Sequence, residues 1–119
     1  MCGMVDLDLG ANSAERPLLG LTVGDPAGIG PEITRAALAE RTLSRAARIL
    51  VLGPAACRPE TVPLLPADDS LSLTTIRDAA WLDTGGPVEW RMGEVQAECG
   101  RAALDALRRG VELAAENRI

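Results

Sequence analysis

The chain has 119 residues and a net charge of −5, and its twelve cations are all arginines scattered along the sequence. That distribution argues against a nucleic-acid surface, which needs a basic patch or stripe, and no apolar run reaches the ~20 residues a membrane helix requires. Hydrophobic residues make up 47 % of the chain but only Trp81 and Trp90 are aromatic, so a core must be built from Leu, Val, Ile and Ala. One domain is the expectation at this length.

Residues 1–17 show little periodicity. Asp6, Gly10, Asn12, Ser13 and Pro17 read as a flexible extension, and its acids, without a basic start before an apolar stretch, are not a secretory signal. Leu18, Leu19, Leu21 and Val23 suit a buried strand. Gly24, Asp25, Pro26, Ala27, Gly28, Ile29 and Gly30 then break both strand and helix. Pro31 fits the first turn of a helix, where its missing N–H costs nothing, and Glu32 complements the positive end of the helix dipole. Ile33, Ala36, Ala37 and Leu38 carry this helix to Glu40 or Arg41, with Thr42 or Ser44 capping a short turn beyond.

Residues 48–52, RILVL, read as a second buried strand ended by Gly53 and Pro54. Residues 55–66 hold three prolines and predict no more than a brief helical opening near Pro59. Asp68 and Asp69 belong to a loop. Residues 71–76 alternate apolar and hydroxyl side chains and predict a third strand. Residues 83–87, DTGGP, form a turn, and Trp81 and Trp90 on either side of it are expected in core or edge packing.

From Glu94 to Glu116 the pattern is helical: Val95, Cys99, Ala102, Ala103, Ala106, Gly110, Leu113 and Ala114 recur at spacings of three and four. Leu104, Leu107 and Val111 widen that apolar face. Gly100 and Gly110 point to close packing against a neighbour, and Glu94 and Glu98 to a solvated first turn. Cys2, Cys57 and Cys99 are odd in number, lack C-x-x-C spacing and have no His beside them. They read as free thiols of a reducing cytoplasm rather than a zinc site.

The strand, glycine loop and helix start at residues 18–40 organise the chain. Such a unit can hold an anion on outward-pointing backbone N–H groups. The loop is not a Walker loop, having no Lys-Ser/Thr end, and its G-x-x-x-G-x-G order is not the dinucleotide fingerprint. A tight β–α turn in which the glycines serve backbone geometry alone is the other reading.

The nine residues GDPAGIGPE, Gly24 to Glu32, resemble the N-terminal signature of the 4-hydroxythreonine-4-phosphate dehydrogenase family. The block GEVQAECGRAA, Gly93 to Ala103, is similar to the start of that family's later helix, with Gln96 where the family commonly has Ser. The GIGPE core also resembles the wider group of metal-dependent decarboxylating dehydrogenases. The resemblance covers the chain from Leu18 onward but about the opening third of a family member. It therefore implies an α/β fold, an incomplete doubly wound sheet from the N-terminal part of an isocitrate/isopropylmalate dehydrogenase-like fold over residues 18–119.

It further implies NAD- or NADP-dependent oxidation and decarboxylation of 4-phosphooxy-threonine in vitamin B6 synthesis, a divalent metal, a cytoplasmic homodimer and a phosphorylated hydroxy amino acid as substrate. Gly24, Asp25, Gly28, Ile29, Gly30 and Glu32 match the signature and are the expected cofactor-binding residues. Asp25 either contacts the dinucleotide or fixes the turn through backbone N–H groups. The family's metal ligands and substrate-binding residues have no counterpart here, so the chain alone is expected to be an inactive N-terminal fragment. Related dehydrogenases of four-carbon sugar-acid phosphates or aromatic cis-dihydrodiols share the signature. A non-catalytic nucleotide- or anion-binding module, or a remnant, is the reading outside enzymes.

Overall fold

The computed structural model describes residues 16–66 and 72–119. Three parallel strands, β1 (Leu18–Thr22), β2 (Arg48–Gly53) and β3 (Ala79–Asp83), lie in the order β1-β2-β3. Helices α1 (Gly30–Leu38) and α2 (Arg41–Ala46) connect β1 to β2, and α3 (Ala97–Ala115) follows β3. The register pairs Leu19 with Ile49 and Ile49 with Ala79.

β2 is central because its apolar run is continuous, as a strand covered on both faces requires. Its side chains alternate between two cores. Ile49 and Val51 face Val23, Cys57, Val62 and Trp81, with Leu38 of α1 and Leu43 of α2 packed alongside. Leu50 and Leu52 face Leu18, Leu73, Ile76 and Leu82, with Ala106 and Leu113 of α3. The result is a sheet between helical layers, with Leu50, Val51, Leu52 and Trp81 fully buried. Among the described residues no helix is long and apolar enough to cross a membrane.

The third strand is not where the alternation placed it. Leu71 lies outside the described residues, as does the acidic pair Asp68 and Asp69, and Leu73–Thr75 forms a 3-10 turn. The hydroxyls explain the change, because they bond locally and compete with a ladder: Thr75 Oγ1 donates to the Ser72 carbonyl at 3.1 Å, and Ser72 Oγ lies 3.0 Å from Thr74 Oγ1. β3 falls instead on AAWLD, held on its outer edge by Leu65 N–H donating to the Trp81 carbonyl and Trp81 N–H to the Pro63 carbonyl, both at 2.8 Å.

Other boundaries shift by single turns. α1 ends at Leu38 because Glu40 turns extended, and its carboxylate, rather than Thr42 or Ser44, caps α2 by accepting from Thr42 N–H at 3.4 Å. The brief helical opening expected near Pro59 lies earlier, at Ala55–Cys57, directly after Pro54. α3 starts at Ala97, not Glu94. Leu104, Leu107 and Val111 do not extend its buried face: they are 50 %, 54 % and 60 % exposed and form a separate face, roughly a third of a turn round the helix at 3.6 residues per turn. Gln96 has an extended backbone, and its side chain folds back on the preceding loop, accepting from Arg91 N–H at 3.0 Å and donating to the Arg91 carbonyl at 2.8 Å.

Residues 1–15 of the expected extension lie outside the described residues, together with Cys2. Arg16 is buried, and its guanidinium donates to the carbonyls of Ser44, Ala47 and Arg77 and to the Asp78 carboxylate. The N-terminal edge of the sheet is thereby tied to the end of α2 and the start of β3. At the other end, α3 closes with Asn117 in the left-handed region (φ 56°), Asn117 N–H on the Ala114 carbonyl and Arg118 N–H on the Leu113 carbonyl. This is a Schellman cap, and it turns Ile119 back onto the α3-side core.

Candidate functional site

Pairing of β1 ends where Val23 N–H donates to the Leu52 carbonyl at 3.0 Å. Gly24 then takes a positive φ of 83°, open to glycine at little cost. Asp25 closes the turn twice: its Oδ1 accepts from Ala27 N–H at 2.8 Å, and its carbonyl accepts from Gly28 N–H at 3.0 Å. The first of these is an Asx turn. Pro26 and Ala27 are buried beneath it. Gly30 packs directly against the backbone that leaves β1, and any Cβ there would overlap the Val23 carbonyl oxygen.

The first turn of α1 therefore begins at the C-terminal end of the sheet. Among the described residues the N–H groups of Ile29, Gly30 and Glu32 carry no hydrogen bond, as the start of a helix dictates. Pro31 has no N–H to add. Partial positive charge from these groups favours an anion.

A second wall comes from far along the chain. Gly93 N–H donates to the Ala27 carbonyl at 2.8 Å, which brings residues 90–93 against the loop. Between the two lies a cavity of about 390 Å³ whose walls include Ile29, Glu32, Arg35, Cys57, Trp90 and Met92. Ile29 and Met92 are 69 % and 67 % exposed, so the cavity presents apolar surface to incoming ligands. Arg35 has no ion pair among the described residues. Cys57 and Cys99 are free and buried, the setting of a structural rather than a reactive thiol. Burial pushes Cys57 up, with Arg35 opposing the shift. Burial pushes Cys99 up as well, helped by the Asp25 carboxylate and opposed by the Ala27 backbone.

The six residues expected at a cofactor site divide into two groups. Gly28, Ile29 and Glu32 line the cavity, whereas Gly24, Asp25 and Gly30 shape the turn behind it. Arg35, Trp90 and Met92 also line it and were not singled out for binding. The available signal was the block starting at Gly93: the two stretches that carry the family resemblance meet at the Gly93–Ala27 hydrogen bond. A further recess of about 290 Å³, where β3 meets α3, is lined by Arg108 and Arg109. Both already face acids, Asp105 at 4.0 Å and Glu112 at 3.1 Å, so it has less free charge to offer. Among the described residues no group of three His, Cys, Asp or Glu could hold a metal ion.

No family model matches the chain. It is 35 % identical over 115 residues to a protein of Halalkalibacterium halodurans, and 36 % identical over 117 residues to one of Symbiobacterium thermophilum, both carrying the provisional name D-threonate 4-phosphate dehydrogenase. These alignments cover 88 % and 87 % of this chain, and 34 % of each relative. Among solved structures, a 4-hydroxythreonine-4-phosphate dehydrogenase from Burkholderia phymatum superposes with a TM-score of 0.73 at 28 % identity, over 87 % of this chain and 34 % of that one. One from Salmonella typhimurium, provisionally given the same name, superposes at 0.65, also at 28 % identity, over 87 % of this chain and 35 % of its own. The chain thus spans about a third of the length of the relatives it matches, and over that third the family resemblance of the signature holds.

Proposed function

We propose that this chain, homologous over most of its length to about a third of these phosphate-substrate dehydrogenases, forms the cofactor-facing wall of an enzyme that oxidises a four-carbon acid phosphorylated at C4. The two substrates named for its relatives share that skeleton and differ at C2, which carries an amino group in one and a hydroxyl in the other. The amino acid version is the substrate of the vitamin B6 reading, in which oxidation gives a β-keto acid that loses carbon dioxide. The higher identity to relatives named for the sugar-acid version favours D-threonate 4-phosphate here. The sheet and signature loop are consistent with an isocitrate/isopropylmalate dehydrogenase-like fold.

The observation that carries the reading is an apolar cavity lined by the signature residues Gly28, Ile29 and Glu32 at the start of α1, at the C-terminal end of a parallel sheet. Ligands of open α/β sheets bind at this end. The dinucleotide, when bound, supplies the hydride acceptor for the secondary alcohol. The residues of this chain fit it: the N–H groups of Ile29 and Glu32 and the Arg35 guanidinium suit phosphate oxygens, and Ile29, Trp90 and Met92 suit a planar ring. The divalent metal that the resemblance implies finds no ligand set among the described residues.

Titration of the protein with NAD and NADP, followed by tryptophan fluorescence in a Trp81→Phe background that leaves Trp90 as the one emitter, tests this. A saturable change is expected, weakened about tenfold or more in Ile29→Asp, a change equal to ~1.4 kcal/mol of lost binding. No saturable response up to millimolar dinucleotide would remove the cofactor from this wall. Oxidation of the two C4-phosphorylated acids by the enzyme isolated from its native cell then decides between the substrates.

A further inference from the structure

Among the described residues Arg35 is the one cation lining the cavity beside the signature loop. It has no ion pair and no side-chain hydrogen bond among them. Arg91, between Trp90 and Met92, is by contrast committed to Glu94. Nor does Arg35 fold back onto the start of its own helix. Glu32, three residues earlier and a neighbour on the helix surface, lies beyond ion-pair reach of it. Arg35 also borders a second recess, of about 420 Å³, together with Leu38, Pro59, Thr61 and Val62. It therefore stands where the two recesses meet.

Two separate places on this wall favour negative charge. One is the helix start, and the other is the guanidinium of Arg35. Between Gly30 and Arg35 the helix rises about 7 Å, at 1.5 Å per residue. A pyrophosphate is compact, its two phosphorus atoms sharing one oxygen, and the helix start takes it. Arg35 calls for a further anionic group set apart from the first. Of the two nicotinamide dinucleotides only NADP carries one, the phosphate monoester on its adenosine ribose. An arginine accommodates that group in other α/β dinucleotide sites, and its planar fork matches phosphate oxygens. Glu32 is of the residue type that receives an unphosphorylated ribose, but it lies in the first turn, where its charge offsets the helix dipole.

We propose that Arg35 is the specificity residue of this wall: it receives the 2′-phosphate of NADP and makes the protein prefer NADP to NAD. This inference rests on the dinucleotide reading of the cavity.

Isothermal titration calorimetry of the full chain with NADP and with NAD is the test. NADP is expected to bind about tenfold or more tightly than NAD, the worth of a charge-assisted phosphate contact. Arg35→Gln brings NADP down to the affinity of NAD, and Arg35→Lys keeps part of the preference, because it retains the charge without the fork. The helix does not depend on the side chain, so urea midpoints of both variants match the parent. Equal binding of the two dinucleotides, a preference for NAD, or a preference for NADP that survives Arg35→Gln overturns the proposal and leaves the dinucleotide reading standing. Binding of D-threonate 4-phosphate that Arg35→Gln removes, with NAD and NADP bound alike, overturns it in favour of the substrate's own phosphate. Binding of neither dinucleotide removes the reading itself and this inference with it.

Discussion

The carbonyl oxygen of Val23 occupies the space where a Cβ on Gly30 would stand. Val23, the buried residue directly after β1, and Gly30, the first residue of α1, are thus in direct backbone contact, and that contact fixes the angle at which the helix leaves the sheet. Only glycine permits it, because the obstacle is backbone and cannot rotate away. Gly30→Ala is expected to cost at least about 3 kcal/mol, the range of changes that force backbone displacement. Gly28→Ala is the control: its Cβ would lie 3.5 Å from the Asp25 carbonyl, an ordinary contact, so it should change stability by about 1 kcal/mol or less. Urea midpoints of the two variants measure the difference.

Asp25 is exposed, yet its Oδ1 organises the turn by accepting from Ala27 N–H. Asp25→Ala should cost about 1 kcal/mol, the worth of a local capping bond, and Asp25→Asn, which keeps the acceptor, should cost less. A melting curve for each checks this. If Asp25→Asn instead leaves stability intact but abolishes dinucleotide binding, the carboxylate acts on the ligand and not only on the turn.

Arg16 is 6 % exposed and binds three carbonyls and a carboxylate around the N-terminal edge of the sheet. Arg16→Met leaves those carbonyls without a donor and should cost about 2–4 kcal/mol. Arg16→Lys should not restore it, since an ammonium cannot span the same fork. Asp78→Asn should cost under about 1 kcal/mol, because Asp78 is 76 % exposed and its ion pair is partly solvated. Denaturant titration of the three variants gives the ranking.

These positions show what the sequence made legible. β1, the glycine loop, α1 and β2 were readable because each has a local cause: a continuous apolar run, three glycines and a proline, Pro31 in a first helical turn. β3 was not, because its causes are distant. AAWLD opens with two alanines of low strand propensity, and it becomes a strand through Ile49 and Leu50 on one side and Pro63 and Leu65 on the other. The LSLTTI alternation was locally better and lost to the hydroxyls' own hydrogen bonds. The cavity divides the same way. Its signature side was visible as a motif, but Trp90 and Met92 reach it through one long-range hydrogen bond from Gly93 that no periodicity encodes. Arg16 was read as part of the extension because nothing in its neighbours announces four acceptors gathered from α2 and the start of β3.

The absence of Lys, Tyr and His gives an unusually clean alkaline titration. Between neutral pH and about pH 11 only thiols and the terminal amine change charge in such a chain. Burial raises Cys57 and Cys99 above the ordinary thiol value, so the folded state holds their protons more tightly than the unfolded chain does. The stabilisation from this difference is complete below the ordinary thiol pKa. It is lost as pH rises through the raised values, because the unfolded chain there has released protons that the folded chain still holds. Urea midpoints taken through that range should fall, and the fall should flatten in Cys57→Ala, Cys99→Ala even though that double variant starts from a lower midpoint at neutral pH. The same burial predicts that both thiols react with iodoacetamide far more slowly in the native protein than in urea. A native alkylation rate at either cysteine equal to the rate in urea would mean that its thiol is exposed, and the alkaline loss would then need another source.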